Sequence, residues 1–247
     1  VLEKVKEHIR AWVPVITLTK GLELESGMRM TQVINEVLPG HPAGVLPGPN
    51  LAREIMAGQA AASVIAMQDP IIVRELQSLF NSGLFRVYTN NDVIGCELGG
   101  VLKNVIAIAV GMGDGQGAGD NTRSALITRG LAEVTRLGVA MGGKAETFAG
   151  LAGMGDMIAT CTSAQSRNRH VGVELGKGRA MEEIIEEMLM VAEGVKSTPA
   201  VIALAEKYAI DMPIARDVYR VVSGESTALR AYRGLLRVSA GAESEPG

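Results

Sequence analysis

Lys103 and Asn104 interrupt an otherwise apolar stretch, and their neighbours make the pair chemically interesting. The spacing over 92–112 predicts a helix in which Leu98, Val101, Val105 and Ile108 form an apolar stripe. Gly99, Gly100, Lys103, Ala107 and Gly111 form a second stripe of small residues around the lysine. A bare face of this kind lets another backbone, a substrate or a cofactor come into contact. A lysine standing on it is partly desolvated, and its pKa is drawn down towards values useful for proton transfer. The plainer reading is a lysine that snorkels to water from the edge of a core helix. Asn104 either orients a ligand or caps a local network.

A second concentration of chemistry runs over 152–170, with Asp156, Thr160, Cys161, Ser166, Arg167, Asn168 and Arg169 close together in the chain. Ser166 reads as an N-cap. A helix starting there offers backbone N–H groups, a favourable dipole and a guanidinium fork, which suit a phosphate; a simple exposed helix start is the alternative. Two strand ends complete the set, one running into Lys20-Gly21 and one into Pro47-Gly48-Pro49-Asn50. Open α/β sheets deliver ligand contacts from such ends, although on spacing alone a solvated loop lysine and an ordinary turn are the plainer readings. Gly113, Gly115 and Ala118 match G-x-G-x-x-A, but they follow a long helix rather than a strand, so the run 111–120 reads as a flexible turn. His8, His41 and His170 lack a triad arrangement.

These residues need a scaffold, and 247 residues with 47% hydrophobic and 21% charged side chains provide a globular core, excluding a disordered chain. With 24 Lys and Arg against 27 Asp and Glu, no general nucleic-acid footprint exists. Cys96 and Cys161 have no CxxC or CxxH partner, which argues against a disulfide scaffold or a zinc site and for a reducing, cytoplasmic setting. The apolar run 101–112 falls short of a membrane span.

Strand-like runs at 13–19, 44–46, 61–67 and 85–89 alternate with helical patterns at 2–9, 28–38, 51–58 and 70–80, predicting a mainly parallel α/β sheet. After residue 92 only helical patterns remain, at 92–112, 121–141, 167–175, 181–190, 194–208 and 213–222. The expected division is a sheet domain over 1–91, an all-helical domain over 92–238 and a loose polar tail over 239–247.

Several motifs occur in a fixed order: Thr19-Lys20-Gly21-Leu22-Glu23, Gly48-Pro49 with Ala52 and Glu54, Phe85-Arg86-Val87-Tyr88, and Glu97-Leu98-Gly99-Gly100 through Lys103-Asn104. Leu151 to Asp156, Thr160-Cys161, Ser166-Arg167-Asn168-Arg169, Glu193-Gly194 and Met212-Pro213-Ile214 follow. With these motifs the chain resembles the bacterial NAD(P)-dependent glycerol-3-phosphate dehydrogenases over residues 1–236. The resemblance implies the C-terminal half of a Rossmann-like sheet followed by an all-α domain. It also implies hydride transfer from NAD or NADP to dihydroxyacetone phosphate, giving sn-glycerol 3-phosphate for glycerophospholipid synthesis, by a homodimer.

By the same resemblance Lys103 is the general acid, Lys20 a second catalytic lysine that also meets the cofactor, and Asp156 a catalytic residue that, with Thr160, helps hold the substrate and order the lysine. Gly48, Asn50, Asn104, Thr160, Ser166, Arg167 and Asn168 fall on the substrate side. Ala52, Arg167, Val191 and Glu193 fall on the cofactor side. Asn50 replaces a small hydroxyl residue common at its position. The family's glycine fingerprint strand does not occur in the sequence, so two or three β-α-β units are expected ahead of Val1, and weak cofactor binding is expected of this chain alone. A silent helical assembly module is the alternative function. A hydroxy-acid dehydrogenase fits less well, because the run 166–169 suits a phosphate better than a lone carboxylate.

Overall fold

The computed structural model describes residues 1–188, 190 and 192–235. Four strands occur among them: β1 (Val15–Thr17), β2 (Ala43–Val45), β3 (Ala61–Met67) and β4 (Phe85–Asn90), in spatial order β1-β2-β3-β4. β1 and β2 are parallel, as are β3 and β4, but β2 and β3 are antiparallel, with Gly44 opposite Met67. This mixed sheet departs from the simple alternation read in the sequence at the β2–β3 pair. The connection between those strands contains one short helix, α3 (Ala52–Met56), and β3 runs back antiparallel to β2. α4 (Pro70–Phe80), eleven residues and about 16 Å long, makes the return that the parallel pair β3 and β4 requires. Asp69 caps α4 as its sequence predicts, accepting the N–H groups of Ile71 at 2.8 Å and Ile72 at 3.0 Å.

Alternate residues of β3 face opposite layers, as the period of two demands. Val64 and Ala66 pack with Val45 against Val93 and Cys96, whereas Ile65 and Met67 pack with Leu46 and Val87 against Val73 of α4. The outer edge of β4 is closed by side chains. Asn81 Oδ1 accepts the Val87 N–H at 2.8 Å and Gln77 Nε2 donates to the Val87 carbonyl at 2.7 Å, which blocks further strand pairing.

The second layer turns on α5 (Val93–Gly115), apolar almost all round and buried at every position from Gly95 to Gly113. By length and mean hydropathy of 1.8 it could cross a bilayer, contrary to the shorter run read from sequence, but 94% of its most apolar window is buried inside the protein. Its cover is α6 (Asp120–Ala140), α8 (Asp156–Thr162), α9 (Arg167–Gly176), α11 (Glu193–Lys207) and α12 (Pro213–Val222). Burying Leu98, Leu102, Ile106 or Ile108 each contributes about 1.5–3 kcal/mol. Asp92 starts the helix, with Oδ1 accepting the Gly95 N–H at 2.9 Å and Oδ2 the Lys144 N–H at 2.8 Å. On α6, the buried Glu133 holds the start of α12 by accepting the N–H of Ile214 at 2.7 Å, and burial pushes its carboxyl up to about 7.

The glycine-rich run 111–120 is not the turn that its composition suggests. Helix α5 continues through Gly115, and Gly111 and Gly115 face Gly172 and Gly176 of α9. A Cβ at Gly172 would lie 2.1 Å from the Ile108 carbonyl oxygen, and one at Gly115 would lie 2.3 Å from that of Val173. Two glycine pairs four residues apart thus let the helix backbones touch. Gly172→Ala is expected to cost about 2–3 kcal/mol and about 5–10 °C in Tm by forcing these backbones apart. Gly119→Ala, with open space around the new methyl, is the neutral control in the same calorimetric comparison.

Other elements differ at their ends. The first predicted helix divides into α1 (Leu2–Val5) and a 3₁₀ turn at Lys6–His8, and α10 (Met181–Glu187) stops three residues early. α2 (Met30–Val37) matches its spacing. Sequence periodicity missed α7 (Ala145–Phe148), a π-helical turn at Leu151–Gly155, α8 and α13 (Ala228–Leu235), each too short or too glycine-rich to carry a pattern. The expected tail over 239–247 lies outside the described residues.

Candidate active site

The bare face of α5 does receive other backbones. At Gly99 a Cβ would stand 2.6 Å from the Ala152 carbonyl oxygen, so the π-helical turn lies directly on α5 and delivers Asp156, the first residue of α8, to Lys103. At Gly100 the space is taken by the Lys20 side chain, whose Cγ is 3.5 Å from the corresponding point. Lys20 arrives from the carboxyl end of β1, and Asn104 Nδ2 holds its carbonyl at 3.3 Å.

The two lysines share one carboxylate. Asp156 Oδ1 pairs with Lys103 Nζ and Oδ2 with Lys20 Nζ, each at 2.9 Å, and the Asp156 side chain is only 3% exposed. An ammonium has three donors. Those of Lys20 go to Asp156, to the Gly48 carbonyl and to Asn50 Oδ1, the last two at 2.8 Å. Lys103 donates to Asp156 and to the Thr160 hydroxyl. That hydroxyl in turn donates to the Asp156 carbonyl at 2.7 Å, so its lone pairs are turned towards the lysine. One Lys103 N–H is left without an acceptor among the described residues. Burial holds the Lys103 pKa below the usual lysine value; the Lys20 charge adds to that effect and Asp156 opposes it. Both cysteines are inert by the same physics, since burial raises both thiols, Cys161 to about 12.

Gly48 has φ near +120°, and a Cβ there would press on Ser63 Cα at 3.1 Å, so only glycine turns the chain at the end of β2 and presents its carbonyl to Lys20. The α5–α9 glycine contact brings in the other half of the site. Ser166 caps α9 by accepting the Arg169 N–H at 3.2 Å, which commits its side-chain oxygen to the helix. Asn168 Oδ1 accepts the Gly194 N–H at 2.9 Å, leaving its Nδ2 without a partner among the described residues. A Cβ on Gly194 would meet both Asn104 O and Asn168 Oδ1 at 2.8 Å, so Asn168 stands beside the residue that follows Lys103. The two arginines separate. Arg169 Nε donates to Asp114 Oδ2 at 2.8 Å, whereas Arg167 is exposed and has no side-chain partner among the described residues.

The sequence matches the family described as NAD-dependent glycerol-3-phosphate dehydrogenase, its N-terminal part over residues 1–72 and its C-terminal part over residues 92–233. Glycerol-3-phosphate dehydrogenase [NAD(P)+] 2 of Sphingopyxis alaskensis is 72% identical over all 247 residues, which span 74% of that protein. The chain belongs to the NAD-dependent glycerol-3-phosphate dehydrogenase family. Glycerol-3-phosphate dehydrogenase [NAD(P)+] 1 of Mycobacterium tuberculosis is 56% identical over 96% of this chain and 69% of its own length. The crystal structure of glycerol-3-phosphate dehydrogenase from Coxiella burnetii aligns at a TM-score of 0.92 and 39% identity, over 96% of this chain and 73% of that one.

Of the residues expected from this family, Lys20, Gly48, Asn50, Asn104, Lys103, Asp156 and Thr160 form one connected group, and Asn168 adjoins it. Ala52 is exposed at the start of α3, and Glu193 is half-buried at the start of α11 beside Gly194. Val191 lies outside the described residues. Gln165, absent from the sequence reading, donates to Glu54 Oε1 at 3.2 Å and ties the rim of the sheet to the loop before α9; nothing in its spacing marks it. Among the described residues no group of three or more His, Cys, Asp or Glu side chains is gathered to hold a metal ion.

Proposed function

We propose that this protein reduces dihydroxyacetone phosphate to sn-glycerol 3-phosphate with NADH or NADPH, and catalyses the reverse oxidation, through the Lys20–Asp156–Lys103 cluster. Family membership supports the reaction class. The observation that carries the residue roles is the difference in donors between the lysines, since among the described residues Lys20 has all three engaged and Lys103 has one free. Lys103 is accordingly the group that donates a proton to the ketone oxygen as negative charge develops there. Lys20 contributes fixed positive charge, and Asp156 holds the two ammonium groups together. Thr160 sets the Lys103 rotamer. The substrate phosphate is read by Arg167, by Asn168 Nδ2 and by the first N–H groups of α9, a remote handle whose binding energy orients the ketone.

A nicotinamide dinucleotide fits the residues at the rim: Gly48 keeps the end of β2 clear of side chain, and the exposed Ala52 and Arg167 with Glu193 would hold it. When bound, it supplies the hydride. The sheet region 1–91 is read as the cofactor side and the helical region 92–238 as the substrate side. Supply of glycerophospholipid synthesis, a homodimer and a cytoplasmic setting belong to the same proposal, the last supported by two free buried cysteines. An intact lysine–carboxylate cluster speaks against a silent assembly module.

The lowered Lys103 pKa gives a signed pH prediction. Reduction needs protonated Lys103, so its kcat falls as pH rises through that pKa; oxidation needs the neutral amine, so its kcat rises over the same interval. Rate profiles in both directions check this, and parallel profiles would remove Lys103 from the proton path. The phosphate assignment is tested by competition, in which sn-glycerol 3-phosphate is expected to inhibit reduction at least about 100-fold more strongly than glycerol.

A further inference from the structure

Glu97 is a buried carboxylate that the chemistry above does not use. It lies on α5 two helical turns before Asn104, with its side chain 4% exposed. Oε1 accepts the Thr31 backbone N–H at 2.8 Å, while Oε2 accepts the Thr31 hydroxyl and a guanidinium N–H of Arg29. A carboxylate withdrawn from water is tolerated only when its oxygens are well paired, and every partner of Glu97 among the described residues comes from one short segment, the start of α2.

That segment is the return limb of a small loop whose outgoing limb begins at Lys20. Leu22 and Arg29 form an antiparallel bridge, and the Glu23 N–H donates to the Met28 carbonyl at 2.9 Å. Glu97, Gly100 and Asn104 recur on one stripe of α5, and the loop follows it: Asn104 holds the Lys20 carbonyl, Gly100 accommodates the Lys20 stem and Glu97 grips Arg29 and Thr31. The Asn104 bond is long at 3.3 Å, whereas Glu97 combines an ion pair with two further hydrogen bonds. Glu97 is therefore the stronger of the two fastenings.

We propose that Glu97 is a positioning residue for Lys20, acting through Arg29 and Thr31 to keep the Lys20 ammonium on Asp156. The proposal rests on the Lys20–Asp156–Lys103 cluster being the reacting group, so two readouts separate its failure from failure of that reading. The variants are Glu97→Gln, which keeps one accepting oxygen and the shape, and Arg29→Ala, which releases the clamp from the other side. In the first readout, folded wild-type and variant proteins are treated with formaldehyde and borane, and each lysine's methylation is followed by mass spectrometry without substrate. Lys20 is expected to react several-fold faster in both variants, with the exposed Lys196 unchanged. Unchanged Lys20 reactivity would overturn the proposal whatever the substrate is.

In the second readout, each variant is expected to lower kcat for dihydroxyacetone phosphate about 10-fold or more in the wild-type background, and to add nothing in a Lys20→Ala background. Equal losses in both backgrounds would mean a general structural role and would also overturn it. Faster Lys20 labelling without turnover by the wild type would leave the positioning intact and reject the assigned reaction.

Discussion

Lys103→Ala is expected to reduce kcat for dihydroxyacetone phosphate by about 10³-fold or more, while cofactor affinity and Tm change little. The size follows from losing two effects at once, a positioned proton donor and a cation facing the developing oxyanion. The fold survives because Asp156 keeps Lys20 at 2.9 Å, so no buried carboxylate is left unpaired, and because a desolvated cation leaves the core. Lys20→Ala gives the contrast. It should lower activity less, because none of its protons is free for the ketone, but it should lower Tm more, since the Gly48 carbonyl and Asn50 both lose their donor. Steady-state kinetics and thermal melts of the two variants read both quantities. A Lys103→Ala enzyme that keeps a tenth of its turnover would exclude Lys103 as the acid.

The second large effect is on substrate binding. Arg167→Ala is expected to raise KM for dihydroxyacetone phosphate about 30- to 150-fold, equivalent to losing about 2–3 kcal/mol of charge-assisted hydrogen bonding. Because the Arg167 side chain has no partner among the described residues, its removal should leave Tm within about 1 °C. Two residues along, Arg169→Ala should behave in the opposite way, breaking the pair with Asp114 and loosening α9 on α5, with a lower Tm and a smaller change in KM. Unphosphorylated dihydroxyacetone, assayed at saturating coenzyme so that any Arg167 contact with the cofactor is masked, is the control substrate, and its poor kcat/KM should be indifferent to Arg167→Ala. If that value falls in parallel, Arg167 serves the cofactor and not the phosphate.

Much of this site is readable from residue types and spacing, because local physics fixes it. The stripe around Lys103 identifies a face built for close approach, Ser166 caps the helix that its position predicts, and Asp69-Pro70 starts α4 where expected. What the sequence hides is set by contacts distant in the chain. Nothing near Lys20 reveals that all its protons are taken by groups at residues 48, 50 and 156, and nothing near Arg169 reveals Asp114 as its partner. The direction of the β2–β3 pair is set by long-range strand pairing, which the spacing of strand-like runs does not record. The glycines at 111 and 115 look like a turn until those at 172 and 176 are seen across from them; one glycine pair four residues apart in each helix is the available signal.

The central claim is that one uncommitted Lys103 proton serves the ketone of a phosphorylated substrate. Its most direct test is the absorbance decrease of NADH and of NADPH when dihydroxyacetone phosphate is added to the purified protein, with Lys103→Ala measured alongside. Oxidation of at least one coenzyme that requires both dihydroxyacetone phosphate and Lys103 is the predicted result. Equal rates with and without dihydroxyacetone phosphate, or equal rates in wild type and Lys103→Ala, would contradict it.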